Sequence, residues 1–189
     1  MNRKFSTQAL VFAALGVVIN LVGGWLVQVT NIPLLFLDAI GTIFVAVLFG
    51  PLMGGLTGFT SNLVLGVLVS PVNIPFGIVN LVIGVVVGFI AKKWNFNLVT
   101  ALITGLILSV LAPLIGSPIA VAIYGGLTGS GTDLIVLWLV KSGQKILAAT
   151  FFSRVAGNLV DKVGSCLLIA VILKSLPRNF VREAQQSEA

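Results

Sequence analysis

Histidine is absent from the 189 residues, cysteine occurs once, and charged residues make up only 8% of the chain. The missing histidine excludes a Ser–His–Asp triad and histidine-ligated metals. A single cysteine, Cys166 in an apolar run, forms no internal disulfide, and no Cys or His cluster offers a metal site. No two carboxylates stand at catalytic spacing. Asp38, Asp133 and Asp161 are far apart, each near an expected helix start, where a negative charge complements the helix dipole. Gly129-Ser130-Gly131 lacks the remaining spacing and the Lys-Ser/Thr pair of a phosphate loop. There is no Asp/Glu/His relay for protons and no ring-forming filter motif for ions. These absences leave no catalytic residue, no metal and no cofactor to assign, so the chain reads as a non-enzyme.

What the chain has is apolar surface. It is 58% hydrophobic, with a mean hydropathy of +1.15. A soluble domain carries about 45–50% apolar and about 25% charged residues. So small a globule has no interior large enough to hide this surplus. Several membrane-spanning helices of about 20 residues each accommodate it. The 21 glycines and seven prolines fit that class. The net charge of +6 reflects basic residues that flank spans and set orientation rather than nucleic-acid binding, because no basic patch is interleaved with aromatics.

Six spans are predicted in an all-α integral membrane protein of one domain, residues 1–189. The first runs from about Gln8 to Val29; it is too long for a signal-peptide core. After Asn31-Ile32-Pro33 a short second span covers about Leu37 to Phe49, and Gly50-Pro51 turns the chain into a third, Leu52 to about Val69. Residues 70–75 break the pattern before a fourth span, Phe76–Ala91, which stops at Lys92-Lys93. The fifth covers about Leu98–Tyr124, with Pro113 and Pro118 as kinks. A glycine-rich turn, residues 125–133, leads into Leu134–Arg154, whose charges disfavour a central spanning position. A long external loop with a surface-lying or re-entrant helical lid is expected there, its N-terminus capped by Asp133. The sixth span starts near Asn158–Lys162 and ends at Leu176-Pro177, before a short polar tail, residues 178–189. Seven basic residues (Arg3, Lys4, Lys92, Lys93, Lys174, Arg178, Arg182) fall on the side of the termini and four (Lys141, Lys145, Arg154, Lys162) on the other, which predicts both termini in the cytoplasm.

Small residues repeat every four positions in Ala9-x-x-x-Ala13, Gly50-x-x-x-Gly54-x-x-x-Gly58 and Gly84-x-x-x-Gly88. That spacing lets another helix backbone approach closely. The glycine rows read as internal packing; Ala9 and Ala13, near the cytoplasmic end of the first span, also suit an external partner. Asn20, Asn62 and Asn80 fall within spans and must point inward to find hydrogen-bond partners. Asn31, Asn73, Thr128, Ser130, Thr132, Gln144 and Asn158 gather toward the external end, where Trp25, Phe36, Phe76, Tyr124 and Trp138 offer stacking surfaces. Helix–helix hydrogen bonding accounts for such polar groups; so does an outward-opening pocket for a planar metabolite, with apolar walls and a few orienting polar groups.

The chain resembles the substrate-binding S components of energy-coupling factor (ECF) vitamin transporters over nearly its whole length. The resemblance rests on Ala9-x-x-x-Ala13, Phe49-Gly50-Pro51-Leu52-Met53-Gly54-Gly55-Leu56-Thr57-Gly58, residues 125–133, Asn158-Leu159-Val160-Asp161-Lys162 and Leu173-Lys174-Ser175-Leu176-Pro177. It implies a plasma-membrane subunit of bacterial type that captures a vitamin-like metabolite from outside and is energised by a transmembrane coupling subunit and two ATPases. It implies that Ala9 and Ala13 dock on the coupling subunit. It maps the substrate pocket onto Asn73, Asn80, Tyr124, Thr128, Asp133, Trp138, Lys141 and Asn158, with no pattern that selects one vitamin. A sensor of the same fold and a stand-alone facilitator are the alternative readings; no signalling domain accompanies the spans within these residues.

Overall fold

The computed structural model describes residues 6–186, and among them every regular element is helical. Ser6 opens α1 (Thr7–Thr30), its hydroxyl accepting the Ala9 N–H at 3.1 Å. At about 1.5 Å per residue, 24 residues reach about 36 Å, enough to cross the roughly 30 Å apolar layer of a bilayer. Then follow α2 (Ile40–Leu68), a 3₁₀ helix (Pro71–Phe76), α3 (Gly77–Lys93), α4 (Leu98–Tyr124), α5 (Asp133–Lys141), α6 (Ile146–Ser175) and α7 (Arg178–Gln186). Five segments are long and apolar enough to span: α1, α2, the 3₁₀ helix with α3, α4 and α6.

The expected second and third spans are two arms of α2. Gly50 breaks the helix with φ 83°, a conformation open to glycine at little cost, and Pro51 starts the second arm. The arms fold back on each other: a Cβ on Gly54 would meet Ala46 Cα at 2.7 Å, although eight residues separate them along the chain. Ile40–Phe49 alone rises only about 15 Å, so this arm does not cross the apolar layer as a rod. Asn20 of α1 ties the arms together. It donates to Thr42 at 2.8 Å and to Ser61 at 2.9 Å, and accepts the Gly41 N–H at 2.7 Å.

The glycine rows pack within the chain. A Cβ on Gly84 would run into the backbone of Gly54, one on Gly88 into Pro51, and one on Gly58 into Asn80. The rows of α2 and α3 therefore face each other in antiparallel register, and only hydrogen fits between the backbones. The apolar core gathers Ile43, Val47, Ile83, Val87, Leu108 and Ile169 from α2, α3, α4 and α6. Outward faces carry residues such as Leu10, Val18, Val67, Phe89, Val99 and Val171, the pattern of helices solvated by lipid.

Two expectations change at the C-terminal end. The lid is smaller than predicted: α5 has nine residues, and Ile146–Arg154 belong to α6, a helix of 30 residues. Of the charges that argued against this arrangement, Arg154 lines the cavity, while Lys141 and Lys145 are exposed where α5 passes into α6. The stretch read as a polar tail is helical to Gln186, because Phe180, Val181 and Ala184 line one face. That face rests on Ala9, Phe12, Leu48 and Phe49, with Phe12 and Phe180 rings 5.5 Å apart. Arg3 and Lys4, counted for orientation, lie outside the described residues. Lys92 and Lys93 end α3 beside the Gly50 turn, at the same end as Ala9 and α7.

Candidate functional site

A cavity of about 280 Å³ opens at the opposite end of the bundle, and all five long helices contribute to it. Its apolar wall comes from Val27, Leu35, Val79 and Pro113, with the rings of Phe36 and Phe76. Ile83 and Ala112 line its floor and belong to the apolar core below, so the floor is packed side chain. The volume lies near the lower end of the roughly 300–1,000 Å³ range of small-molecule sites.

The polar part is built from buried, largely committed groups. Asn80 donates to Asp38 O and Asn62 Oδ1, each at 2.8 Å, while its own Oδ1 is buried without a partner. Asn73 donates to Ser70 O at 2.9 Å and pairs with Gln28 of α1 through side-chain amides at 3.3 Å. Asn158 returns its amide to Arg154 O at 2.8 Å, one turn earlier. Each of the three fixes a cavity wall while leaving capacity for further bonds.

The connector between α1 and α2, residues 31–39, is held by Asp161. Its Oδ1 accepts the N–H groups of Phe36 at 3.1 Å and Leu37 at 2.8 Å. Leu34 and Leu37 both have positive φ, 65° and 50°, a strained state for leucine that persists only where surrounding contacts impose it. Lys162 Nζ then bridges Asp161 Oδ2 at 2.6 Å and Asp38 Oδ1 at 3.0 Å. Asp161 therefore lies mid-helix and caps no helix start, and Asp38 serves Lys162 instead of the α2 N-terminus, which has no side-chain cap. A buried lysine between two carboxylates is an affordable arrangement inside a membrane because each charge has a partner.

The glycine-rich loop covers the cavity through Thr128, Gly129, Ser130 and Gly131. Asp133 knots it: Oδ2 accepts Thr128 N–H at 3.0 Å and Gly129 N–H at 2.7 Å, and Oδ1 accepts the Ser130 hydroxyl at 3.1 Å. The carboxylate expected to cap α5 thus secures the loop ahead of it. Ser153 of α6 fastens the same loop by donating to Thr132 O at 2.8 Å.

Of the eight residues mapped to the pocket, Asn73, Asn80, Thr128 and Asn158 line the cavity. Tyr124 stands behind the wall, its ring 6.4 Å from that of Phe76 at an interplanar angle of 19°. Asp133 acts through the loop, and Trp138 and Lys141 are exposed on α5, outside the lining. Gln28, Asp38, Arg154 and Lys162 also line the pocket, and the resemblance mapped none of them there. A signal was there: ionisable residues inside an apolar span mark an interior site. Ala9 is fully buried in the cluster under α7, and Ala13 is half-buried at its edge. Among the described residues no group of His, Cys, Asp or Glu is arranged to hold a metal.

Nothing among the curated proteins and nothing among the solved structures matches the chain. A family model does, over residues 4–177, and its description is ECF-type riboflavin transporter, S component. With a membrane-embedded helical bundle and a roofed cavity at one end, the chain belongs to that family of substrate-binding transporter subunits.

Proposed function

We propose that the protein captures riboflavin from outside the cell and presents it for ATP-driven import by a separate energising module. The observation that carries this reading is the cavity itself: apolar and aromatic walls, amides along one side, a packed floor and a loop for a roof. Riboflavin is a planar, largely apolar tricycle with a polar edge and a hydroxylated chain, and this division of surfaces suits it. The buried charges favour a ligand without a large charge of its own: Lys162 is held between Asp38 and Asp161, and with Arg154 the two cations are matched in number by these two carboxylates.

Counting the two arms of α2 separately, the chain runs between the ends of the bundle six times. The end with Lys92, Lys93 and Lys174 is cytoplasmic and the cavity faces outward. Binding and release involve no bond making, so the chain is a non-catalytic subunit; two ATPases and a transmembrane coupling subunit supply the work. Ala13 stands on the docking face for the coupling subunit, while Ala9, expected to share that face, is covered by α7 and supports it from beneath.

The test is identification of the small molecule released when the purified full chain, produced in riboflavin-supplied cells, is denatured. Riboflavin at near one equivalent supports the proposal. A different metabolite in that amount, or cargo-free protein that also fails to take up added riboflavin, refutes it.

A further inference from the structure

Arg154 is a buried cation of the cavity with most of its donors unused. It is 92% buried, since its relative exposure is 8%. A guanidinium has five N–H donors. One, on Nη2, reaches Thr128 Oγ1 at 3.0 Å; among the described residues no other acceptor and no ion-pair partner meets the group. The residue lines the cavity, and its spare donors are not sealed off from that space. It also stands over an aromatic ring. Cζ stands 4.9 Å from the centre of the Phe76 ring, and Phe76 is stacked on Tyr124. A buried guanidinium with four idle donors, its charge eased only at a distance by Asp133 and Asp38, is a costly element unless an acceptor arrives with the ligand.

We infer that Arg154 is the specificity-determining residue for the flavin ring, its fork of N–H groups gripping the adjacent acceptor pair formed by the C4 carbonyl oxygen and ring nitrogen N5. This inference rests on the riboflavin reading and adds the edge of the ring that is read. Arginine recognises guanine through a carbonyl oxygen and a neighbouring ring nitrogen in the same way, because the spacing of the two acceptors matches its two parallel donors. The flavin O4/N5 edge presents that spacing. The opposite side of the ring offers acceptors at N1 and the C2 carbonyl, which the inference leaves to the amide side chains.

The experiment compares riboflavin with 5-deazariboflavin, which has C–H in place of N5, and with 1-deazariboflavin, altered on the other edge. Equilibrium affinities are measured on the full chain in detergent by quenching of ligand fluorescence. The wild type is expected to bind 5-deazariboflavin on the order of 10-fold or more weakly than riboflavin, with a much smaller loss for 1-deazariboflavin. In Arg154→Gln, and in Arg154→Lys, which keeps the charge and loses the fork, riboflavin binding weakens and the preference for riboflavin over 5-deazariboflavin disappears. Equal binding of riboflavin and 5-deazariboflavin by the wild type overturns the inference while leaving the riboflavin reading intact. So does a preference that survives in Arg154→Gln. Absence of riboflavin binding by the wild type refutes the riboflavin reading instead. Should the variants fail to fold, the two deaza analogues on wild-type protein still decide the edge.

Discussion

Lys162 on α6 meets Asp38 in the connector before α2 at 3.0 Å, across 124 residues of chain. The same ammonium holds Asp161, whose other oxygen secures the backbone of Phe36 and Leu37. Three charges thus join the last long helix to the rim of the cavity.

Lys162→Met removes the cation and leaves Asp161 buried without its partner. Breaking a buried pair from one side costs about 3–5 kcal/mol. A marked fall in unfolding temperature in detergent, together with weaker riboflavin binding as Phe36 loses its seat, is the expected result. An unchanged transition shows that the pair does not hold the connector.

Gly84→Val forces a side chain into the backbone of Gly54, where α3 and the second arm of α2 touch. Overpacking of this kind costs about 1–3 kcal/mol, and here the obstacle is main chain, so the upper part of that range applies. Gly164→Ala is the control, because a Cβ there meets nothing within 4 Å. Thermal unfolding of the two variants side by side checks the prediction; equal transitions contradict it.

Asp133→Ala frees Thr128, Gly129 and Ser130 from the carboxylate that knots the roof loop. The loop then opens more often while the bundle below keeps its packing. Riboflavin dissociation is expected to speed up by about 5- to 10-fold, the equivalent of about 1 kcal/mol, with little change in unfolding temperature. Stopped-flow displacement measures the rate; unaltered dissociation removes Asp133 from the roof.

Ala13→Trp is the cleaner probe of the docking face, because Ala9 is fully buried and a tryptophan there disrupts the cluster itself. With Ala13 half-buried at the edge, the ring projects from α1 and obstructs a partner. Co-purification with the coupling subunit and ATPases is expected to fail while riboflavin affinity stays the same. Normal complex formation refutes the assignment.

Much of the fold was legible because its causes are local. Composition marked the membrane, Gly50-Pro51 marked the hairpin, and four-residue glycine spacing marked internal packing, which the α2–α3 pairs Gly84–Gly54 and Gly88–Pro51 realise. The cavity was legible only in part. Asn73, Asn80, Thr128 and Asn158 stood out as polar residues in or beside apolar runs, and they line it. Arg154, with Lys141 and Lys145, argued for a surface helix because lone charges are expensive in lipid; Thr128 and Phe76, which meet Arg154, and Asp38, which pairs with Lys162, come from distant segments that no spacing rule connects. Trp138 and Lys141 had the right chemistry, but α5 turns them outward. The α7 helix was hidden by its charge: its apolar face is only Phe180, Val181 and Ala184, enough to settle on Ala9 and Phe12.

Capture of riboflavin in the roofed cavity, as proposed, is read out by an equilibrium titration of riboflavin into the purified, cargo-free full chain. Saturable one-to-one binding with Kd below about 1 μM is expected, together with loss of that binding when Gly116→Trp fills the cavity. No binding by the wild-type chain, or binding that persists unchanged with the cavity filled, contradicts it.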